Sequence, residues 1–214
     1  CTLFQQIIGL ALALFLNSKF KGRGMIRTII YMPAMVSGLV MGYIMYFFFQ
    51  YKGGVVNDIL AAFGASGYDW LGNGTSAIAV IVFINTWQFV GVSMVIYLAG
   101  IQGVSQSYLE AATVDGANAW ERFRFIILPL LVPALSSSVI YNLIGGLKLY
   151  DVIIALTDGG PAKKTHSLAT YIANRYFDAE RAGYAAAIGV FSFVMIMIIS
   201  MIVNAYFRKK EVDL

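Results

Sequence analysis

Long apolar stretches separated by polar links organise the whole chain. Five of them approach or exceed the ~18 to 20 residues that cross a bilayer as a helix. They cover residues 1–17, 29–50, 77–100, 131–147 and 189–207, and none contains Asp, Glu, Lys, Arg or His. The pattern therefore predicts an all-α, polytopic bundle of transmembrane helices with five spans.

The composition agrees with a lipid environment and excludes a soluble fold of this size. Of the 214 residues, 59% are hydrophobic and 12% are charged, and the mean hydropathy is +0.75, whereas soluble domains carry about a quarter charged residues. The single Cys allows no internal disulfide, and His166 has no partner at ligand spacing, so no metal site is predicted. The net charge of +4 is too small to indicate nucleic-acid binding.

The distribution of basic residues predicts which links face the cytoplasm. The link after the first span carries four basic residues and no acidic one, and the C-terminal tail carries three basic residues. Both are therefore predicted to be cytoplasmic, which puts residues 101–130 inside and residues 51–76 and 148–188 outside. The chain opens at Cys1 directly into an apolar run, and five spans leave residue 1 outside. We therefore expect an N-terminally truncated protein.

A GxxxG pattern lies in the second span, at Gly38 and Gly42. This spacing places two positions without side chains on one helix face and allows another helix to approach closely. The neighbouring helix belongs either to this chain or to a partner subunit. The sequence leaves both possibilities open.

Residues 101–130 carry the most specific pattern, which predicts a short helix, a turn and a second short helix. Ser107 and Glu110 have the spacing of a capping box at the start of the first helix. Asp115-Gly116 supplies the turn. The segment is therefore predicted to form a compact helical element on the cytoplasmic side.

The second helix of this segment is predicted to be amphipathic. Asn118 and Glu121 have the spacing of a helix start. Trp120, Phe123 and Ile127 then fall on one helix face.

The first helix of the segment suits docking to another protein. Ala111, Ala112 and Gly116 have little side-chain bulk, so a groove in a partner can close on the backbone. The alternative is purely structural: Glu110 caps its own helix and Asp115 makes a turn.

The segment also carries a family resemblance. Glu110-Ala111-Ala112 and Asp115-Gly116-Ala117 are followed by Phe123, Ile127, Leu128-Pro129 and Pro133. Together they resemble the EAA loop of binding-protein-dependent ABC transporter permeases. The resemblance extends over nearly the whole chain, through Phe20-Lys21-Gly22-Arg23-Gly24, Leu98-Ala99-Gly100-Ile101-Gln102, Tyr150-Asp151-Val152-Ile153 and Thr157-Asp158-Gly159-Gly160-Pro161. The flanks look most similar to carbohydrate-type permeases of the maltose and glycerol-phosphate systems.

A Ser-Gln-Ser run at residues 105–107 replaces a proline found in many relatives, and Ser105 or Ser107 can cap the helix instead.

The resemblance implies a MetI-like permease core in a bacterial-type plasma membrane. Residues 1–214 would form a single transmembrane domain that lacks the family's first core span. It implies a second permease, two ATPase subunits, an extracytoplasmic solute-binding protein and a sugar or related solute as partners, within membrane lipid. The loop at 101–130 would couple this subunit to the ATPase. The residues implied at that contact are Glu110, Ala111, Ala112, Asp115, Gly116 and Ala117.

The resemblance and the motifs agree that the chain is a transport subunit and not an enzyme. The sequence has no G-x-x-x-x-G-K-[ST] loop to hold phosphates, so ATP and Mg²⁺ are expected on the partner ATPase and no cofactor on this chain. An ion-coupled carrier or channel and a membrane-embedded enzyme are the alternatives. Both usually place ionisable groups inside the membrane, and the five apolar stretches contain none.

Polar and aromatic residues within the spans are candidates for a solute path. Amides can bind sugar hydroxyls and aromatic rings can stack on sugar faces. The candidates are Asn85, Trp87, Gln88, Tyr141 and Asn142. The alternative for each is hydrogen bonding between helices or anchoring at the membrane interface. Residues 148–188 are either a receptor surface for a binding protein or a solvated loop.

Overall fold

The protein is helical throughout the part that the structure describes. This computed structural model describes residues 1–18 and 20–210, in which no β-strand occurs. The helices are α1 (Thr2–Asn17), α2 (Arg23–Tyr31), α3 (Gly38–Phe49), α4 (Val55–Ala62), α5 (Gly74–Gly103), α6 (Gln106–Val114), α7 (Ala119–Arg122), α8 (Leu128–Leu130), α9 (Val132–Leu147), α10 (Asp151–Thr157), α11 (Leu168–Ala173) and α12 (Ala182–Arg208). A 3₁₀ turn (Met32–Met35) follows α2, and π-helical turns follow α7 (Phe123–Ile127) and α11 (Asn174–Asp178).

Every apolar stretch of the sequence coincides with a helix, but the helices differ in length. Only α5 and α12, among the described residues, are long and apolar enough to cross a membrane by themselves. The number rises to four if two interrupted pairs, Arg23–Met35 with α3 and Ala119–Leu130 with α9, each count as one span. With 16 residues, α1 is a shorter apolar helix.

The second predicted span is interrupted. α2 ends at Tyr31, the 3₁₀ turn contains Pro33, and α3 begins at Gly38. Proline lacks the N–H group of a regular helix and clashes with the preceding turn. The expectation of one unbroken helix over residues 29–50 is therefore wrong at this point.

The described chain divides into two compact units. The first contains Cys1, Met35–Gln88 and Gly145–Ile196, and the second contains Thr2–Ala34, Phe89–Ile144 and the residues from Met197 onward. The first half of α5 belongs to the first unit and its second half to the second unit.

The core of the first unit is built by α3, α5 and α10. Its buried residues are Met41, Met45, Val80, Ile81, Ile84, Val152, Ile153 and Leu156. A Cβ atom placed on Gly42 would lie 2.5 Å from the Ala155 Cβ and 3.3 Å from the Val152 Cα. The GxxxG pattern therefore packs within this chain, because only glycine lets α3 approach α10 so closely.

The core of the second unit is built around α1, the second half of α5 and the start of α9. Its buried residues are Ala13, Leu16, Met94, Tyr97, Leu98, Ile101 and Leu131. Arg27 donates to the Leu16 carbonyl oxygen at 2.7 Å and so satisfies an acceptor at the C-terminal end of α1. A Cβ on Gly91 would lie 2.5 Å from the Ile30 carbonyl oxygen, so α5 passes close to the backbone of α2.

Residues 148–188 contain packed helices and are not simply a solvated loop. They include α10, which buries Val152, Ile153 and Leu156, and α11, which starts with a capping box between Ser167 and Thr170. The Ser167 hydroxyl also donates to the Leu149 carbonyl oxygen at 2.5 Å. Much of this segment is therefore packed structure.

Candidate functional site

The first helix of the 101–130 segment is defined by a serine cap. α6 begins at Gln106, and the Oγ of Ser105 accepts a hydrogen bond from the Ser107 N–H at 3.4 Å. Ser107 thus lies inside the helix, and the predicted capping box between Ser107 and Glu110 is wrong. Capping by Ser105, the other possibility named from the sequence, is confirmed. Glu110 is consequently left on an exposed face of α6.

The turn after α6 requires glycine because of its backbone conformation. Gly116 has φ of +81°, and a Cβ there would meet no atom within 4 Å. Glycine is therefore required at this position because of the left-handed backbone conformation and not because of crowding. The N–H groups of Asp115, Gly116 and Ala117 bond back to carbonyl oxygens of α6 at 3.0, 3.1 and 2.9 Å, which closes the end of the helix.

The second short helix is fixed by its own cap and by a tie to α6. Asn118 accepts from the Glu121 N–H at 3.0 Å, and Glu121 accepts from the Asn118 N–H at 2.7 Å. The predicted helix start at Asn118 is therefore confirmed, and the structure forms it as a capping box. Arg122 donates to the Thr113 hydroxyl at 2.9 Å and joins α7 to α6. The helix–turn–helix prediction is confirmed.

The segment exposes small and charged residues around the C-terminal end of α6, together with several large apolar side chains. Glu110, Ala111, Asp115 and Gly116 are exposed, Ala117 is half-buried and Ala112 is buried. Val114, Phe125, Trp120 and Tyr108 are exposed apolar or aromatic residues, at 87%, 72%, 67% and 46%. Exposed large apolar side chains of this kind are typical of interaction surfaces.

A groove runs beside α6. Its volume is about 320 Å³. Its lining consists of Tyr108, Ala111, Ala112, Asp115, Phe125, Ile126, Pro129 and Leu130. The small residues of α6 and the apolar residues that follow α7 thus share one concave surface, as docking of a partner helix or loop would require.

The segment continues directly into the apolar helix α9. The π-helical turn Phe123–Ile127 leads to α8, and α9 follows after a bend of 65°. At the bend the Leu131 N–H donates to the Ile127 carbonyl oxygen at 2.9 Å, and the Leu131 side chain is fully buried. The bend is therefore anchored in the core of the second unit.

Two buried amides and one exposed aromatic residue of the candidate solute path lie on α5. Asn85 and Gln88 are buried, whereas Trp87 is 41% exposed. Gln88 donates to the Val36 carbonyl oxygen at 3.0 Å, and its Oε1 atom has no hydrogen-bond partner among the described residues. The Gln88 amide is thus enclosed in the core of the first unit, and only Trp87 of these three residues reaches the surface.

The other two candidates lie on α9, in the second unit. Tyr141 is exposed, and Asn142 is buried, donating to the Ser93 hydroxyl at 2.8 Å and to the Ser138 carbonyl oxygen at 2.9 Å. Gln6 accepts hydrogen bonds from the hydroxyls of Ser138 and Tyr97. Gln6, Ser93 and Ser138 were not among the candidates predicted from the sequence. The signal that identifies them is that each is a polar residue within an apolar stretch.

The 148–188 segment carries a charged and aromatic surface. Arg175 donates to the Tyr171 hydroxyl at 2.8 Å and lies 4.8 Å from its ring centroid. This hydrogen bond lowers the pKa of the Tyr171 phenol. In the described residues, no group of three or more His, Cys, Asp or Glu side chains could hold a metal ion.

Comparison with known proteins identifies the family. The family described as binding-protein-dependent transport system inner membrane component matches residues 6–212. The chain belongs to this permease family. Its membership confirms the predictions of a helical, multi-pass membrane fold and of a transport subunit instead of an enzyme.

Curated relatives of this permease are named as sugar transport subunits. It is 36% identical over 193 residues to the trehalose/maltose transport system permease protein MalF of Thermococcus litoralis, covering 90% of this chain and 65% of the relative. It is 34% identical over 206 residues to the multiple sugar-binding transport system permease protein MsmF of Streptococcus mutans, covering 96% and 71%. The permease chain therefore spans only part of the length of each.

Solved structures show the same fold. The crystal structure of a bacterial ABC transporter involved in the import of the acidic polysaccharide alginate matches with a TM-score of 0.86 and 28% identity, over 97% of this permease and 73% of that chain. The same TM-score is found for the bacterial alginate transporter in complex with an alginate pentasaccharide-bound periplasmic protein, at 27% identity. The permease fold predicted from the sequence is thus confirmed.

Proposed function

We propose that this chain is a membrane-spanning subunit of an ATP-driven importer that translocates a sugar or sugar-like solute. The proposal is carried by one observation: a capped, exposed helix–turn–helix that leads directly into the apolar helix α9. The names of the sugar-transport relatives and the alginate importer support the solute class. Residues 1–214 act as one permease domain, in which 101–130 is the cytoplasmic coupling loop.

The coupling loop docks a separate ATPase. Glu110 and Gly116 contact a cleft of that ATPase, and Ala111, Ala112, Asp115 and Ala117 lie beside them. The exposed Glu110 offers a charge, and the left-handed Gly116 lets the partner backbone approach without a side chain between them. Exposed Val114 and Trp120 add apolar area to the same contact.

Closure of the ATPases around ATP moves the loop, and the loop moves a helix. Arg122 holds α7 to α6, so the two short helices shift together. The buried Leu131 at the bend then transmits the shift to α9, which opens the solute path to alternate sides. ATP and Mg²⁺ bind the partner ATPase. The 214 residues contain no phosphate-binding loop of the required pattern.

The solute path uses both exposed rings and buried amides. Trp87 and Tyr141 are exposed and can stack on sugar faces. Asn85 and Gln88 in the first unit and Asn142 in the second are buried amides, and we assign them to the walls of the path and not to direct contact with the solute. A second permease completes it.

An external binding protein delivers the solute to the side opposite the ATPase. The packed 148–188 segment presents a preformed receptor surface, including Arg175 and Tyr171. The C-terminus and the coupling loop then lie on the cytoplasmic face of a bacterial-type plasma membrane.

The test is affinity purification of the full-length tagged permease, followed by mass spectrometry for a copurifying ATPase. The variant Glu110→Lys/Gly116→Trp reverses the charge and fills the turn of the coupling loop. Its matched control, Asp178→Lys/Gly183→Trp, makes the same two changes in the 148–188 segment and at the start of α12, where a Cβ on Gly183 meets no atom within 4 Å.

We expect the ATPase to copurify with the wild-type protein and the control but not with the loop variant. Retention by the folded loop variant would overturn the coupling role. Absence of any ATPase from the wild-type preparation, under conditions that keep known importers intact, would favour an ion-coupled carrier.

A further inference from the structure

A cleft in the second unit lies between the start of α9 and the last turns of α12. Its volume is about 340 Å³, within the range of about 300 to 1,000 Å³ that is typical of small-ligand sites. Its lining includes Val132, Ser136, Ser137, Asn204, Phe207 and Arg208. No acidic residue is among the described residues that line it.

The polar lining supplies the donors that a phosphate group needs. Arg208 carries a planar fork of N–H groups and a permanent positive charge, and Asn204 carries an amide. Both side chains are exposed. The Ser137 hydroxyl donates to the Pro133 carbonyl oxygen at 2.9 Å, so Arg208, Asn204 and Ser136 are the remaining side-chain donors.

The position of the cleft favours a phosphate that belongs to a membrane lipid. Arg208 ends α12, at the point where a membrane-crossing helix reaches the lipid headgroups. Only 6% of the most apolar stretch of α12 is buried within the chain. Basic pockets between membrane helices at the cytoplasmic side are a recurrent way of binding anionic headgroups.

The same helix face offers a place for acyl chains. Met197, Met201, Asn204 and Arg208 recur at spacings of four, three and four residues and so lie on one side of α12. Met197 and Met201 are exposed. An apolar strip therefore leads along α12 to the polar cleft.

We infer that this cleft binds the phosphate of an anionic phospholipid, with Arg208 as the main donor and Asn204 and Ser136 as supporting donors. The site is separate from the coupling loop and from the candidate solute path. It depends on the membrane position of α12 and does not depend on the identity of the sugar or of the ATPase.

The test is a titration of the purified permease complex in mild detergent with phosphatidylglycerol, followed by native mass spectrometry. Arg208→Gln removes the charge within the cleft, and the control Lys209→Gln removes the same charge at the next position. We expect Arg208→Gln to weaken one lipid-binding event about tenfold, as loss of a charge-assisted hydrogen bond predicts. Lys209→Gln should weaken it by about threefold or less, as expected for an exposed charge.

A second variant tests the site if Arg208→Gln fails to fold. Asn204→Leu keeps the charge and removes the amide donor, and should also weaken lipid binding. If Arg208→Gln folds, unchanged lipid affinity in this variant would overturn the site. If it does not fold, unchanged lipid affinity in Asn204→Leu would overturn the site. Equal weakening by both glutamine variants would indicate general charge attraction and would overturn it too.

A parallel titration with inorganic phosphate separates a lipid from a free anion. Equally tight binding of free phosphate, with the same dependence on Arg208, would overturn the lipid assignment. ATPase copurification is measured in the same preparations. Loss of the lipid with retention of the ATPase supports the lipid site without bearing on the transport proposal.

Discussion

The 101–130 and 148–188 segments both join apolar helices, but they use short helices in opposite ways. In the first, hydrogen bonds between near neighbours fix α6 and α7, and apolar side chains such as Val114 remain exposed. In the second, α10 buries Val152, Ile153 and Leu156 against α3 and α5. Local capping thus fixes the conformation of α6 and α7 while leaving their apolar side chains free to contact a partner. In the 148–188 segment, the apolar side chains of α10 are instead buried by packing within the chain.

Glycine has a different role in the two segments. Gly42 faces α10 and is required because any side chain would meet Ala155. Gly116 has open space around its Cβ position and is required because of its positive φ. Substitutions can therefore separate loss of packing from loss of docking.

The largest expected effect is on the packing of α10. Gly42→Leu would place several atoms where the Ala155 Cβ and the Val152 Cα already lie, so we expect a loss of about 3 kcal/mol or more in the free energy of unfolding. SDS titration in mixed micelles measures it. Gly189→Leu on α12, where a Cβ meets no atom within 4 Å, is the control and should retain wild-type stability within about 1 kcal/mol. Equal stability of the two variants would contradict the close packing.

Truncation of one apolar side chain in each segment sharpens the contrast. Leu156 is 3% exposed, and Leu156→Ala should cost about 2 to 5 kcal/mol of unfolding free energy. Val114 is 87% exposed, and Val114→Ala should change stability by about 0.5 kcal/mol or less while reducing ATPase recovery in the affinity purification. A stability loss at Val114 as large as at Leu156 would remove the distinction.

The two capping boxes allow a comparison of the same motif in both settings. Asn118→Ala should cost about 1 kcal/mol, the usual loss for a helix cap. Ser167→Ala should cost about 2 kcal/mol, because its hydroxyl also donates to the Leu149 carbonyl oxygen. Both values come from the same unfolding titration. A larger cost at Asn118 would show that α7 is more tightly integrated than its exposure indicates.

A small effect on stability is also expected at the turn of the coupling loop. Gly116→Ala requires a left-handed alanine, which costs about 1 to 2 kcal/mol, partly offset by the lower entropy of the unfolded chain. We expect a net loss of about 1 kcal/mol or less, together with weaker ATPase recovery. Gly103→Ala at the end of α5, also in open space but without a positive φ, should retain both properties.

Most features that depend on near neighbours were predictable from the sequence, although α6 is capped by Ser105 and not by the predicted box of Ser107 and Glu110. The apolar stretches predicted helices because membrane spans are recognised by length and hydropathy. The turn at Gly116 and the cap at Asn118 were predictable because their hydrogen bonds join residues only a few positions apart. The exposed helix–turn–helix of the candidate site followed from these signals.

Features that depend on distant partners were not predictable in the same way. α10 has only seven residues and lies in a link that was predicted to be polar, so the sequence did not predict it as a packed helix. Its buried face is completed by Gly42 on α3, which is distant in the sequence. The interruption at Pro33 was missed because the apolar run continues across it. The hydrogen bond between Asn142 and Ser93 joins two helices, so neither residue reveals it alone.

The uncovered surface of α12 has a consequence for the life of the subunit in a cell. Of the two long helices, α5 is 56% buried over its most apolar stretch and α12 is 6% buried. Little of the free energy that holds α12 in place can therefore come from packing within this chain. Lipid supplies part of it and, under the proposed function, so do the partner subunits. A copy synthesised in excess of its neighbours would display this helix to the membrane proteases that degrade unassembled chains. The abundance of the subunit should consequently follow that of its assembly partners.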